Sequence, residues 1–136
     1  VRNAQALGAA LEQRGIPVLG AHKGYTCTHQ VIADVRAFGG GLDVAHLLAQ
    51  ANIVTNKNLL PNDGPADWDT PSGLRLGTIE VTRFGMREPE MALIADFMAR
   101  VLVERQPTER VVGEVVEFRR QYQTLYYNFD HGAPPQ

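Results

Sequence analysis

The apolar residues of this chain change their period several times, and no single type of secondary structure accommodates that. Val1, Ala4, Leu7 and Leu11 fall on one helical face. Val44, Leu47, Leu48 and Ala51 define a second, with Asp43 suited to the positively polarised first turn of that helix. Met91, Ile94, Ala95, Met98 and Leu102 form a third stripe, which opens near Gly85 to Pro89 because proline is accepted in a first turn. Between these stripes lie pieces too short for helices: Ile16 to Leu19, Gln30 to Val35, Ile53 to Thr55 and Leu74 to Leu76. The predicted order is helix, strand, strand, helix, strand, long loop, strand, helix, helix. That order describes an α+β layer: a small sheet of three to four short strands with helices packed on one face.

Punctuation residues set the boundaries. Gly15 closes the first helix, and Asn52 can close the second. Gly20 to Thr28 and Phe38 to Gly41 read as loop and turn. Asn56 to Ser72 reads as one long loop, broken by Pro61, Asn62, Asp63, Gly64, Pro65 and Pro71. A loop of that length in a small domain is usually functional or mobile. Pro107 separates the third stripe from a last helix over about Glu109 to Tyr126, and residues 132–136 read as a frayed tail.

Length and charge exclude several classes of function. The 136 residues suffice for one core. Thirteen basic residues against fifteen acidic ones leave a net charge of −2, so no basic field exists to hold nucleic acid. The apolar runs are far too short to span a membrane, which predicts no membrane partner. Cys27 is the single cysteine and cannot form an internal disulfide, which favours a cytoplasmic setting and a buried, inert thiol. The first helical face starts at Val1 with no capping residue before it, so the chain is expected to be a piece of a longer protein.

Two stretches carry candidate chemistry. Thr55-Asn56-Lys57-Asn58 followed by Pro61-Asn62-Asp63 offers paired amide donors and acceptors beside a long loop. The competing reading is that Asn56 and Asn58 only tie down loop backbone. In Ser72-Gly73-Leu74-Arg75-Leu76-Gly77-Thr78, an arginine lies in an apolar strand between glycines that permit close approach. Its guanidinium needs an anion: either a ligand carboxylate gripped by both prongs or one of the chain's own acids. His22, His29, His46 and His131 show no metal-like spacing, so no metal site is expected. His46 reads as solvated on its helix, and His29 opens a strand. The two lysines, Lys23 and Lys57, lack the deep context of a Schiff-base lysine, so no catalytic residue is assigned in this chain.

The run Ala51-Asn52-Ile53-Val54-Thr55-Asn56-Lys57-Asn58, then Pro61-Asn62-Asp63, Ser72 to Thr78, and Thr82-Arg83 with Gly85, resembles the serine hydroxymethyltransferase family in several motifs in the correct order. The resemblance extends over residues 1–136 as a single C-terminal small domain of a fold-type I enzyme. It implies pyridoxal phosphate as cofactor, held mostly by an absent large domain, and serine–glycine interconversion with tetrahydrofolate. By that resemblance Arg75 binds the amino-acid carboxylate. His29 is the weaker second substrate contact, because the family's Asp-Asn-His is here Cys27-Thr28-His29. Asn58, Asn56 and Trp68 stand at the folate or acceptor positions. The family is generally dimeric or larger. The loop Gly64 to Pro71, Phe84 and Thr78-Ile79-Glu80 depart from the family pattern, and Thr28-His29-Gln30 together with Gly77 to Arg83 resembles a divergent branch that includes threonine transaldolases or α-methylserine-type aldolases, which work without folate. A further possibility is a non-catalytic subunit that pairs with a separate large domain.

Overall fold

The computed structural model describes residues 1–126, so His131 and the tail 132–136 lie outside the described residues. Helix α1 spans Arg2–Gln13 and buries Ala4, Leu7 and Leu11 on the predicted face. It ends where Gly15 takes φ 84° and the Ile16 amide reaches back to the Leu11 carbonyl at 3.0 Å. The remaining elements are β1 (Gln30–Asp34), α2 (Gly41–Gln50), β2 (Asn56–Asn58), β3 (Gly73–Gly77), α3 (Ile79–Arg83), α4 (Glu88–Leu102) and α5 (Thr108–Arg120).

The three strands form one antiparallel sheet in the order β1-β3-β2. Burial alternates along β1, with Val31 and Ala33 fully covered and Gln30, Ile32 and Asp34 partly open. Leu74 and Leu76 of β3 turn to the same covered side. There they meet α1, α2 and α4 in one core with Leu11, Val44, Leu48, Met91 and Met98. Each such side chain contributes about 1.5–3 kcal/mol by leaving water. The helices therefore lie on one face of a three-stranded sheet, as the period changes require. One buried polar residue steers the packing: Asn3 of α1 donates to Thr82 Oγ1 at 2.8 Å and to the Met86 carbonyl at 3.0 Å. This ties the start of α1 to the α3–α4 connection.

Several expectations need correction. Ile16 to Leu19 is not a strand but an isolated bridge, Val18 opposite Ala33. Pro17 has no amide to extend a ladder, and Gly20 turns the chain away at φ 76°. Ile53 to Thr55 is also unpaired, and Val54 is 88% exposed. The strand begins three residues later, at Asn56, inside the stretch read as loop. Here pairing with β3 overrides β-propensity. A short helix, α3, lies between Leu76 and Gly85, where the sequence predicts none. The last helix stops at Arg120 rather than Tyr126, because the chain folds back and the Tyr126 amide bonds the Arg83 carbonyl at 2.9 Å. The Tyr126 ring lies against Gly85, where a Cβ would stand 2.6 Å from it. Cys27 is exposed in the loop before β1 rather than buried.

Candidate functional site

Among the described residues no helix covers the outer face of the sheet, and that face gathers Arg75, Asn56 and Asn58. Directly opposed residues of an antiparallel pair share a face. Arg75 of β3 is opposite Ile32 of β1 on one side and Asn56 of β2 on the other. Gly73 and Gly77, two residues to either side of Arg75, lie on that same face, opposite Asp34 and Gln30. A Cβ at Gly77 would meet no atom within 4 Å, so the approach to Arg75 from that end is open. At Gly73 the space is filled, since a Cβ would stand 2.3 Å from Leu60 Cδ2. Leu60 thus roofs one end of the face and the other end is bare.

Arg75 is exposed rather than buried, because the strand is apolar on its inner side only. Its guanidinium makes no ion pair with a described residue. Asp34, on the same face, is engaged by Arg36: the guanidinium Nε donates to both carboxylate oxygens at 3.1 and 3.2 Å, and Nη2 closes the fork. The Arg36 amide adds a bond to Asp34 Oδ1 at 3.1 Å. Hydrogen bonding from Arg36 holds the Asp34 carboxyl below the usual carboxylate range, against partial burial.

The long segment after β2 is fastened at both neck and tip. Asp63 Oδ2 accepts the amides of Leu60 at 2.7 Å and Ser72 at 2.9 Å. The Leu60 amide first, then the Ser72 side chain and the Ser72 amide, hold the Asp63 carboxyl below the usual carboxylate range. Lys57 Nζ donates to the carbonyls of Trp68 at 3.3 Å and Asp69 at 2.9 Å. Trp68, at the end of a 3-10 turn over Pro65–Trp68, is 71% exposed beside β2. Asn58 is half-buried, and its amide donates to the Leu59 carbonyl at 2.7 Å. Asn56 is exposed. His29 immediately precedes β1 with an exposed side chain, and its carbonyl accepts the Thr78 amide at 2.9 Å and hydroxyl at 3.0 Å.

Arg75, Asn56 and Asn58 thus come together on one face, with the Trp68 turn along the β2 edge and His29 at the end beyond Gln30 and Gly77. His46 is exposed and lies on α2, outside this face. Sequence reasoning missed two supports, the Asp34–Arg36 fork and the Asp63 clasp. The fork had a signal in the Asp-x-Arg spacing, whereas the clasp is indistinguishable in sequence from ordinary turn chemistry. No group of three or more metal-ligating side chains occurs among the described residues. No described helix is long and apolar enough to cross a membrane.

The described residues do not by themselves fit a pyridoxal phosphate. Lys57 is spent on two loop carbonyls at the surface, and Lys23 is exposed on a 3-10 turn. The cavity of about 300 Å³ between α2 and the α4–α5 connection is lined by Phe38, Leu47 and Arg105 among others, with no lysine.

Comparison with known proteins agrees with this architecture. The chain is 48% identical over 129 residues to the serine hydroxymethyltransferase of Staphylothermus marinus, covering 95% of this chain and 29% of the relative. It is 51% identical over 130 residues to that of Methanocella arvoryzae, covering 96% and 31%. The crystal structure of an L-threonine transaldolase from Pseudomonas fluorescens superimposes with a TM-score of 0.80 at 29% identity, covering 96% of this chain and 29% of that one. The chain therefore spans about 30% of the length of these relatives. A family model described as serine hydroxymethyltransferase matches residues 1–98. With the motifs from Asn56 to Gly85 inside that span, the chain belongs to the serine hydroxymethyltransferase family.

Proposed function

We propose that residues 1–136 are the C-terminal small domain of a pyridoxal-phosphate enzyme that makes and breaks the Cα–Cβ bond of small amino acids. The supporting observation is the exposed Arg75, which makes no ion pair with a described residue, on a sheet face where Asp34 is already engaged by Arg36. A guanidinium fork matches the two oxygens of a carboxylate. Gripping both fixes rotation about the bond from the carboxylate to Cα, and that orientation selects which Cα bond is aligned to react. In this reading Arg75 holds the amino-acid carboxylate, with His29 as a second substrate contact. Asn58, Asn56 and Trp68 line the place of the incoming acceptor, folate in the hydroxymethyltransferase reading.

The cofactor belongs to the large domain in this proposal, since the described residues enclose no lysine. The partner is that large domain, in a homodimer or larger assembly. Similarity to the hydroxymethyltransferases supports serine–glycine interconversion with tetrahydrofolate. The likeness to the threonine transaldolase, together with the departing loop Gly64 to Pro71, supports a second reading in which β-hydroxy amino acids form without folate.

The test assembles the chain with a pyridoxal-phosphate large domain of a relative and follows the visible absorption on adding glycine. The expected result is a glycine-dependent change that Arg75→Ala abolishes, since losing one partner of such a contact costs about 2–5 kcal/mol. An unchanged glycine response in Arg75→Ala refutes the carboxylate role. Product formed from threonine and an aldehyde with no folate present selects the second reading.

A further inference from the structure

An arginine kept for a ligand must be protected from the acids of its own protein. On a three-stranded antiparallel sheet this is a geometric problem. Asp34 is opposite Gly73, Arg75 is opposite Ile32, and both charged residues project from the outer face. They are therefore diagonal neighbours, a separation that a long side chain spans. Gly73 itself contributes no side chain between them, although Leu60 Cδ2 lies 2.3 Å from where its Cβ would be. Asp63 also contributes to the field at Asp34, so two acids flank this end of the face.

Arg36 answers both. It follows Asp34 by two residues, in the 3-10 turn Arg36–Phe38 that the chain makes on leaving β1. That turn brings its guanidinium back onto the Asp34 carboxylate, with Nε donating to Oδ1 at 3.1 Å and Oδ2 at 3.2 Å. The backbone amide of Arg36 holds Oδ1 as well. Asp34 is thus saturated by its own neighbour, and Arg75 has no ion pair with any described residue.

We propose that Arg36 is a positioning residue that sequesters Asp34, so that the Arg75 guanidinium stays free for a ligand carboxylate. The idea rests on the reading of Arg75 as a carboxylate site, and it assigns specificity to a residue that touches no ligand. Without Arg36 the internal pair Asp34–Arg75 forms and competes with the ligand. An exposed pair of this kind lowers the apparent affinity for a carboxylate by about two- to fivefold.

Two measurements separate this proposal from the function it rests on. In the isotope-labelled chain at pH 6, the side-chain Nε–H resonance of Arg75 is compared in wild type, Arg36→Ala and Arg36→Ala/Asp34→Asn. Arg36→Gln serves as a second variant should Arg36→Ala not fold. The expected result is a shifted, more slowly exchanging Arg75 Nε–H in the single variant and a return to the wild-type position in the double variant. An Arg75 resonance unmoved by loss of Arg36, or still shifted when Asp34 is neutral, overturns the proposal. In the assembled enzyme, Arg36→Ala raises the KM for the amino acid about two- to fivefold with kcat unchanged, and adding Asp34→Asn restores it. A merely structural role for Arg36 predicts no such rescue, and its absence overturns the proposal. Arg75→Ala in the same assay is the control for the underlying reading: a variant with normal KM refutes the carboxylate site, while the resonance comparison still decides whether Arg36 sequesters Asp34.

Discussion

The same substitution, glycine to alanine in a helix, is expected to have opposite signs at two positions of this protein. Gly41 is the first residue of α2 and is buried against β3. Its amide donates to the Pro71 carbonyl at 2.7 Å. A Cβ added there would stand 2.1 Å from the Gly73 carbonyl oxygen and 3.0 Å from that of Pro71. Both obstacles are backbone, so no rotamer change relieves them, and either α2 or the start of β3 must retreat. Overpacking of this kind costs about 1–3 kcal/mol. Gly113 lies exposed in α5, where a Cβ would meet nothing within 4 Å. There only chain entropy and helix propensity act, and alanine stabilises by about 0.5–1 kcal/mol. Thermal unfolding followed by far-ultraviolet circular dichroism distinguishes the two, at about 4 °C per kcal/mol for a domain of this size. Gly113→Ala should melt about 2–4 °C higher and Gly41→Ala about 4–12 °C lower. Since Gly73 precedes Arg75 by two residues on the same strand, the retreat in Gly41→Ala also displaces the candidate site. A Gly41→Ala protein as stable as wild type would refute the reasoning, because it would mean that the close approach of α2 to β3 can relax freely.

Met98 is fully buried in the core under α4, and Met98→Ala should cost about 2–5 kcal/mol in urea unfolding. Leu93→Ala, at a position 48% exposed on the same helix, should stay within about 0.5 kcal/mol of wild type. Asp63→Ala should speed hydrogen exchange at the Leu60 and Ser72 amides and change the emission of Trp68, while Asp63→Asn, which keeps an acceptor, should do so less. Acid should mimic the loss. The native Asp63 carboxyl titrates below its unfolded value, so its contribution is full above the unfolded pKa and disappears as pH falls through the lowered native one. Trp68 emission that is insensitive to both the variants and acid would show that the loop does not depend on the clasp.

The helical stripes are legible because burial of one face imposes a 3.6-residue period that the chain itself displays. Val44 and Leu48 of α2, and Met91, Ala95 and Met98 of α4, are buried as that period demands. The strands are less legible. Ile53 to Thr55 has the better composition, yet Asn56–Asn58 is the paired strand. Pairing depends on where β3 lies, and local preference carries no information about that. Arg75 is recognisable as exceptional, but its apolar neighbours predict a buried strand, whereas half of a one-sided sheet faces water. The fastening of the long loop is hidden for a related reason. Asp63 accepts the amide of Ser72, nine residues further along, and turn chemistry predicts only the near partner, Leu60.

Fold class, family and the identity of the unusual side chains follow from the chain alone, because periodicity, turn residues and ordered motifs are local properties. The folded molecule adds what those properties omit: Arg75, Asn56 and Asn58 share one open face, Leu60 roofs one end of it, and Arg36 takes Asp34 on the same face. Those relations are set by strand register and by which surface the helices cover. Both arise from contacts between residues far apart in sequence, which no local rule encodes.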